Sequence, residues 1–286
     1  MSVTADTFTS GYLPTWCPGC GNFGIWMTLK NALVELGIGT DDGVVVYGVG
    51  CHGNMYDWMK MYGVAALHGR TLPVAQGLKL ANHTLPVIVV SGDGDALGEG
   101  GNHFLHAAKR NPNITVLIHD NQVYGLTTGQ ASPTAKTGFK TKSTPEGVVD
   151  EPVNPLALAI GAGATFVARG FAGDAQGLTA LIVAGVKHKG FAVIDILQPC
   201  VTFDKVHTYQ WYRPRLYTLE SAGYVPDNKL KALEKALEWG DKIPVGIFYK
   251  EDRLTSEDHE PALTSGPLKD SSLAIGNLQE LLSEFI

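Results

Sequence analysis

The sequence predicts an α/β protein, a mostly parallel sheet with helices on both faces. Three observations carry that expectation. Short apolar runs at 44–47, 85–90, 114–118 and 192–197 are rich in Val and Ile and do not alternate, as strands buried on both faces do not. Between two of them, Phe104, Leu105, Ala107 and Ala108 give residues 102–110 an apolar stripe at helical spacing. Each run then ends in a turn bearing Gly, Asp, Asn or Cys, at the edge where open parallel sheets bind ligands.

Bulk properties agree. A chain of 286 residues with 44% hydrophobic residues can bury a substantial core in one large domain or two small ones. The net charge of −6 argues against a general nucleic-acid binder. No segment reaches the roughly 18 unbroken apolar residues of a membrane span. Residues 1–6 show no basic region followed by an apolar one, so no signal peptide is expected and the cytoplasm is the default location.

The elements follow in order. Trp16-Cys17-Pro18-Gly19-Cys20-Gly21 is a Cys-x-x-Cys knuckle, of zinc or redox type. Polar and turn residues rather than a strand precede Cys17, which counts against a thioredoxin-like site. Apolar residues at 23, 25, 26, 29, 33 and 36 predict a helix over 23–36. The strand at 44–47 leads into Gly48-Val49-Gly50-Cys51-His52-Gly53.

The strand–helix–strand unit at 85–121 is the centre of the chain. A right-handed crossover sets its two strands side by side, so Asp93 and Asn121 meet although 28 positions apart. A carboxylate and an amide oxygen on an edge with free N–H groups suit Mg²⁺ carrying a phosphorylated ligand. The plainer alternative is an ordinary turn, with Asn121 capping a loop.

The hydroxyl-rich stretch 127–134 is too long for a plain connector and is expected to serve the ligand edge. Residues 136–142 hold three lysines, a solvated face or a contact for an anionic partner. A helix from 155, a strand at 164–168, a helix at 175–188 and the strand at 192–197 follow, ending in Gln198-Pro199-Cys200. After about residue 206 the pattern fades. An aromatic stretch at 209–212, a helix at 229–239 and a tail at 256–286 ending in a short apolar–acidic helix are read as an extension. The expected division is a ligand-binding α/β domain over 1–206 and a C-terminal extension over 207–286.

The chain has four cysteines, Cys17, Cys20, Cys51 and Cys200. Two structural disulfides are disfavoured in a reducing cytoplasm. Four thiolates suit zinc or an iron–sulfur cluster. Spacing alone leaves zinc and iron equal, with unrelated buried thiols as a third reading.

A resemblance separates these alternatives. Gly92-Asp93-Gly94 followed by Asn121 resembles the diphosphate motif of thiamine diphosphate (TPP) enzymes, which implies the thiamine-diphosphate-binding fold and Mg²⁺ held by Asp93, Asn121 and the Val123 carbonyl. The Cys17–Cys20 knuckle, Gly48-Val49-Gly50-Cys51, His68-Gly69-Arg70, Gly92-Asp93-Gly94-Asp95, Asn121-x-x-Tyr124-Gly125-Leu126-Thr127 and Gln198-Pro199-Cys200 occur in one order between about residues 11 and 206. Together they resemble the β subunit of the 2-oxoacid:ferredoxin oxidoreductases.

The resemblance implies one 4Fe–4S cluster on Cys17, Cys20, Cys51 and Cys200. It also implies TPP contacts at Val49, Gly50, Cys51, His52, His68, Gly94, Asp95, Gly125 and Leu126. Taken alone, His68 reads sooner as a loop histidine in solvent than as a ligand contact, and Asp95 can be read as a helix cap. The implied activity is oxidative decarboxylation of a 2-oxoacid with coenzyme A, electrons passing to ferredoxin. No glutamate here fits the one that activates TPP, since Glu99 belongs to the diphosphate loop, so a partner α subunit is expected to supply it.

Asn54 stands where several members carry Lys or Arg toward the substrate carboxylate. The wording at 101–104 and 131–134 is closer to the 2-oxoglutarate branch than to the pyruvate branch. Two rival classes remain: a non-redox TPP decarboxylase subunit with structural zinc, and a TPP-free iron–sulfur carrier. Neither accounts for cysteines and Mg motif converging on one sheet edge.

Overall fold

Neighbouring residues along the central strands bury on opposite faces, which is why those strands read as unbroken apolar runs. In β1 (Val44–Tyr47), Val44 and Val46 enter one core while Val45 and Tyr47 enter the other. The computed structural model describes residues 3–272 and 278–285. Met1, Ser2, residues 273–277 and Ile286, which include part of the N-terminal stretch and of the predicted tail, lie outside the described residues.

The strands after β1 are β2 (Gly63–Ala65), β3 (Val87–Gly92), β4 (Ile114–Asp120), β5 (Val123–Tyr124), β6 (Gln130–Ala131), β7 (Phe166–Phe171), β8 (Phe191–Leu197), β9 (Leu216–Thr218) and β10 (Ile243–Lys250). Among the described residues they form an eight-stranded sheet, β2-β1-β3-β4-β8-β7-β10-β9, and a β5–β6 hairpin. Every pairing in the large sheet is parallel except β7 with β10.

Helices cover both faces, as expected. The helices α1 (Gly21–Leu36), α2 (Met55–Trp58), α3 (Thr71–Ala81), α4 (Gly101–Arg110), α5 (Pro155–Ala162), α6 (Ala175–Lys187), α7 (Tyr209–Tyr212), α8 (Lys229–Ala236) and α9 (Leu278–Ser283) follow in order. Leu72 of α3, Phe104 of α4, Leu156 of α5 and Ala232 of α8 share one core. Leu29 and Leu33 of α1 share the other with Leu178 and Ile182 of α6. Among the described residues no helix is long and apolar enough to cross a membrane.

Several bounds shift by a residue or two, as in β3, which runs from Val87 to Gly92 rather than over 85–90, and three corrections stand out. The strand expected at 164–168 begins at Phe166, because the Ala164 N–H still closes the end of α5 on the Ala159 carbonyl at 2.9 Å. The helix expected to reach residue 239 stops at Ala236. The third is β10, which the sequence reading passed over because Pro244 and Gly246 interrupt its apolar run. Both are tolerated there: the strand bulges between Ile247 and Tyr249, and its partner on the Pro244 side is only the short β9.

Candidate active site

Strand order does the first part of the assembly. β1, β3, β4 and β8 are consecutive and parallel, so their carboxyl ends share one edge. Residues 48–51 leave β1 there, Asp93 leaves β3, Asn121 leaves β4 and residues 198–200 leave β8. The knuckle of Cys17 and Cys20 joins them because the Gly21 N–H donates to the Pro199 carbonyl at 3.1 Å.

Asp93 is buried at this edge. Its Oδ2 accepts hydrogen bonds from the Ser132 hydroxyl (2.5 Å), the Thr134 hydroxyl (2.6 Å) and the Gln122 N–H (3.1 Å). Burial raises the Asp93 pKa, and the two hydroxyls work against it. The loop after the β5–β6 hairpin is therefore part of the site. The Thr134 hydroxyl also lies 2.8 Å from Asp120 Oδ1, so one hydroxyl spans two carboxyl groups.

Asp95 lies inside the first turn after β3 and is not the cap of that turn, a place Asp93 holds. Asp95 Oδ1 takes the Gly69 N–H (2.8 Å), the Val49 N–H (3.3 Å) and His68 Nδ1 (2.7 Å), while Oδ2 takes the Ser91 hydroxyl at 2.5 Å. One buried carboxylate thus ties the loops after β1 and β2 to the end of β3. It sits in a wide π turn, Gly94–Glu99, that leads into α4. Gly48 must stay glycine, since a Cβ there would stand 1.8 Å from Asp95 Oδ2.

His52 is buried with Nε2 accepting the Gly92 N–H at 3.0 Å. Burial pushes its pKa down to about 4, against the pull of Asp95. The ring is therefore neutral at pH 7 with its proton on Nδ1. His68 is not a free loop histidine, because Asp95 holds it and Glu99 Oε2 stands 3.6 Å from the same nitrogen.

Every residue expected to contact TPP or Mg²⁺ lines a single cleft, with Tyr124 and Thr127 beside them. The four cysteines line an adjoining cavity of about 330 Å³. Cys51, Asn121, Gly125 and Leu126 line both, so they form the wall between. A Cβ on Gly125 would lie 3.4 Å from Cys51 Sγ and 3.9 Å from Cys200 Sγ. Asn54 lies in the cysteine cavity, not in the cleft.

None of the thiols is in a disulfide. Burial pushes Cys20 up to about 12 and Cys51 up to about 11, and the neighbouring thiols add to both. Four thiolates cannot share this space without cationic charge among them, which fits a metal centre. A single zinc with Zn–S bonds of about 2.3 Å would hold its sulfurs about 4 Å apart. Among the described residues no three His, Cys, Asp or Glu side chains are set closely enough for one ion.

Sequence reasoning missed the hydroxyls of Ser132 and Thr134 as individual partners of Asp93, although it marked their loop. It assigned a role only to the cysteine of Gln198-Pro199-Cys200, whereas buried Gln198 lines the cysteine cavity within hydrogen-bond reach of Asn121 and Cys20.

Comparison with known proteins points one way. The family described as thiamine pyrophosphate enzyme, C-terminal TPP binding domain, matches residues 48–196. The family described as the C-terminal part of the pyruvate ferredoxin oxidoreductase beta subunit matches residues 200–265. The chain is 47% identical over 268 residues to the 2-oxoacid:ferredoxin oxidoreductase subunit beta of Saccharolobus solfataricus, covering 90% of this chain and 88% of that one. It is 48% identical over 197 residues to the 2-oxoglutarate oxidoreductase subunit KorB of Mycobacterium tuberculosis, covering 69% and 53%. Among solved structures, the 2-oxoglutarate:ferredoxin oxidoreductase from Magnetococcus marinus, with 2-oxoglutarate, coenzyme A and succinyl-CoA bound, superposes with a TM-score of 0.90. Identity there is 34%, and the match covers 99% of this chain and 95% of that one.

Proposed function

The chain belongs to the family of β subunits of 2-oxoacid:ferredoxin oxidoreductases, and on that premise we propose that it carries Mg–TPP and one 4Fe–4S cluster in a cytoplasmic enzyme with an α subunit. The reaction would convert a 2-oxoacid and coenzyme A to acyl-CoA and CO₂, with two electrons delivered singly to ferredoxin. The proposed substrate is 2-oxoglutarate, which the names of the M. tuberculosis and M. marinus relatives carry.

One observation carries the reading: the carboxylate–amide cleft and the four-cysteine cavity share the wall of Cys51, Asn121, Gly125 and Leu126. TPP supplies an electron sink and the cluster a one-electron outlet, chemistries that need such proximity.

The chain's own residues then have defined tasks. Asp93 and Asn121 would hold the metal; the Asn121 oxygen accepts the Val123 N–H at 3.0 Å and keeps a second lone pair free. Neutral His52 lines the cleft, with Nε2 engaged by the Gly92 N–H. Val49 and Leu126, both more than a third exposed at the mouth, form an apolar rim that a partner subunit would cover. Glu99 stands 3.4 Å from the Tyr124 hydroxyl at the diphosphate end, so the activating glutamate is assigned to the α subunit.

The test is iron, sulfide and zinc analysis with a visible spectrum on the αβ complex purified without air. About four irons per chain are expected, with a brown band bleached by 2-oxoglutarate plus coenzyme A. Zinc in place of iron would overturn the redox half of the proposal. Stronger bleaching by pyruvate would overturn the substrate assignment.

A further inference from the structure

We propose that Gln198 is a positioning residue that links the Mg²⁺ ligand Asn121 to the cluster ligand Cys20, and so couples the two cofactor sites through one buried amide. The inference rests on the reading above and extends it to a residue that binds neither cofactor.

Hydrogen-bond direction fixes the argument. The Val123 N–H can only donate, so the Asn121 atom 3.0 Å from it is Oδ1. Asn121 Nδ2 is thereby turned to Gln198 at 3.1 Å, and only the Gln198 oxygen can accept there. That leaves Gln198 Nε2 as the donor 3.4 Å from Cys20 Sγ. A backbone N–H at one end of the relay sets an N–H···S bond at the other.

The amide has little freedom to turn away. Gln198 is 2% exposed. Its own N–H donates to the Asp120 carbonyl at 2.8 Å, one residue beyond the β4–β8 ladder. The first turn of α1 presses on its stem, where a Cβ on Gly21 would stand 2.6 Å from Gln198 Cγ.

A donor to a cysteine sulfur stabilises the more negative, reduced state of a cluster, so it raises the reduction potential. Removing Nε2 lowers that potential. It also strands Asn121 Nδ2 without its acceptor, which loosens the metal ligand. A residue that only filled space would do neither when replaced by an apolar side chain of similar size.

The experiment uses the αβ complex carrying Gln198→Leu, with a potentiometric titration of the cluster followed by electron paramagnetic resonance and no 2-oxoacid present. Separate binding isotherms for Mg–TPP complete it. The expected result is a shift to lower potential together with about a tenfold weaker Mg–TPP affinity. An unchanged potential in Gln198→Leu overturns the inference while leaving the proposed function intact. If Gln198→Leu does not assemble, Gln198→Met keeps an unbranched side chain of similar length without an N–H donor, so the same negative shift is expected and its absence is equally decisive. A wild-type complex without iron overturns the cluster assignment, and this inference with it.

Discussion

The Trp16 indole N–H donates to the Cys51 carbonyl at 2.6 Å, tying the residue before the knuckle to the cysteine after β1. Trp16 also packs edge-on against Trp58, with centroids 4.3 Å apart. Trp16→Phe should keep the packing and strand the carbonyl, at a cost of about 1–3 kcal/mol. The expected outcome is a lower melting temperature and faster loss of iron to a chelator. Unchanged iron retention would show that the bond does not help place Cys51.

Gly48 and Gly77 make a matched pair. Gly48→Ala drives a methyl into Asp95 Oδ2 at 1.8 Å, whereas nothing lies within 4 Å of a Cβ at Gly77 in α3. Urea unfolding should show Gly48→Ala destabilised by about 1–3 kcal/mol. Gly77→Ala should be stabilised by about 0.5–1 kcal/mol. Mg–TPP affinity should fall only in the first, because Asp95 holds His68 and the Val49 N–H.

Two buried histidines give the protein a pH-dependent stability. Burial lowers the His52 pKa to about 4 from 6.5, and burial lowers that of His119 as well. Both folded-state values lie below the unfolded one, so the unfolded chain takes up protons first. The contribution of these two histidines is complete above about pH 6.5 and is lost as pH drops toward about 4. His119→Asn should make the slope of unfolding free energy against pH shallower over that window. A slope equal to wild type would sink this assignment.

On the proposed function, Asp93 would hold function against stability. Its carboxylate is buried and its pKa raised by that burial, although Ser132 and Thr134 donate to it. Asp93→Asn keeps an oxygen for those donors and removes the charge. Mg–TPP affinity should fall at least about tenfold. The melting temperature without cofactor should hold or rise. A variant that binds Mg–TPP like wild type would remove Asp93 from the metal site.

The parallel core was legible because strands covered on both faces leave an unbroken apolar signature, and β1 has the bounds that signature gives. The proposed site residues Asp93, Asn121, Cys51 and Cys200 were legible because they sit just past strand ends, and Cys17 and Cys20 because they form a Cys-x-x-Cys knuckle. Other contacts were not. The Thr134 hydroxyl reaches Asp93 and Asp120 through the fold of a loop, and Gln198 joins Asn121 to Cys20 only once β4 and β8 are paired. Such contacts have no local periodicity to announce them. β10 was hidden for the opposite reason, since its own Pro244 and Gly246 argue locally against a strand that tertiary pairing enforces.

That late strand sets an order of events during synthesis. Gly246 pairs with Arg169 and Lys250 with Phe166, so the outer edge of β7 has no neighbour until the chain past residue 250 has left the ribosome. Until then an apolar strand with unsatisfied N–H and C=O groups stands open beside a nearly finished cofactor edge, a template for pairing with another nascent chain. Stopping the chain at residue 206 would leave the edge open for good. The C-terminal segment therefore works as a seal: it bears none of the proposed cofactor ligands, yet the sheet that carries them is not closed to its neighbours without it.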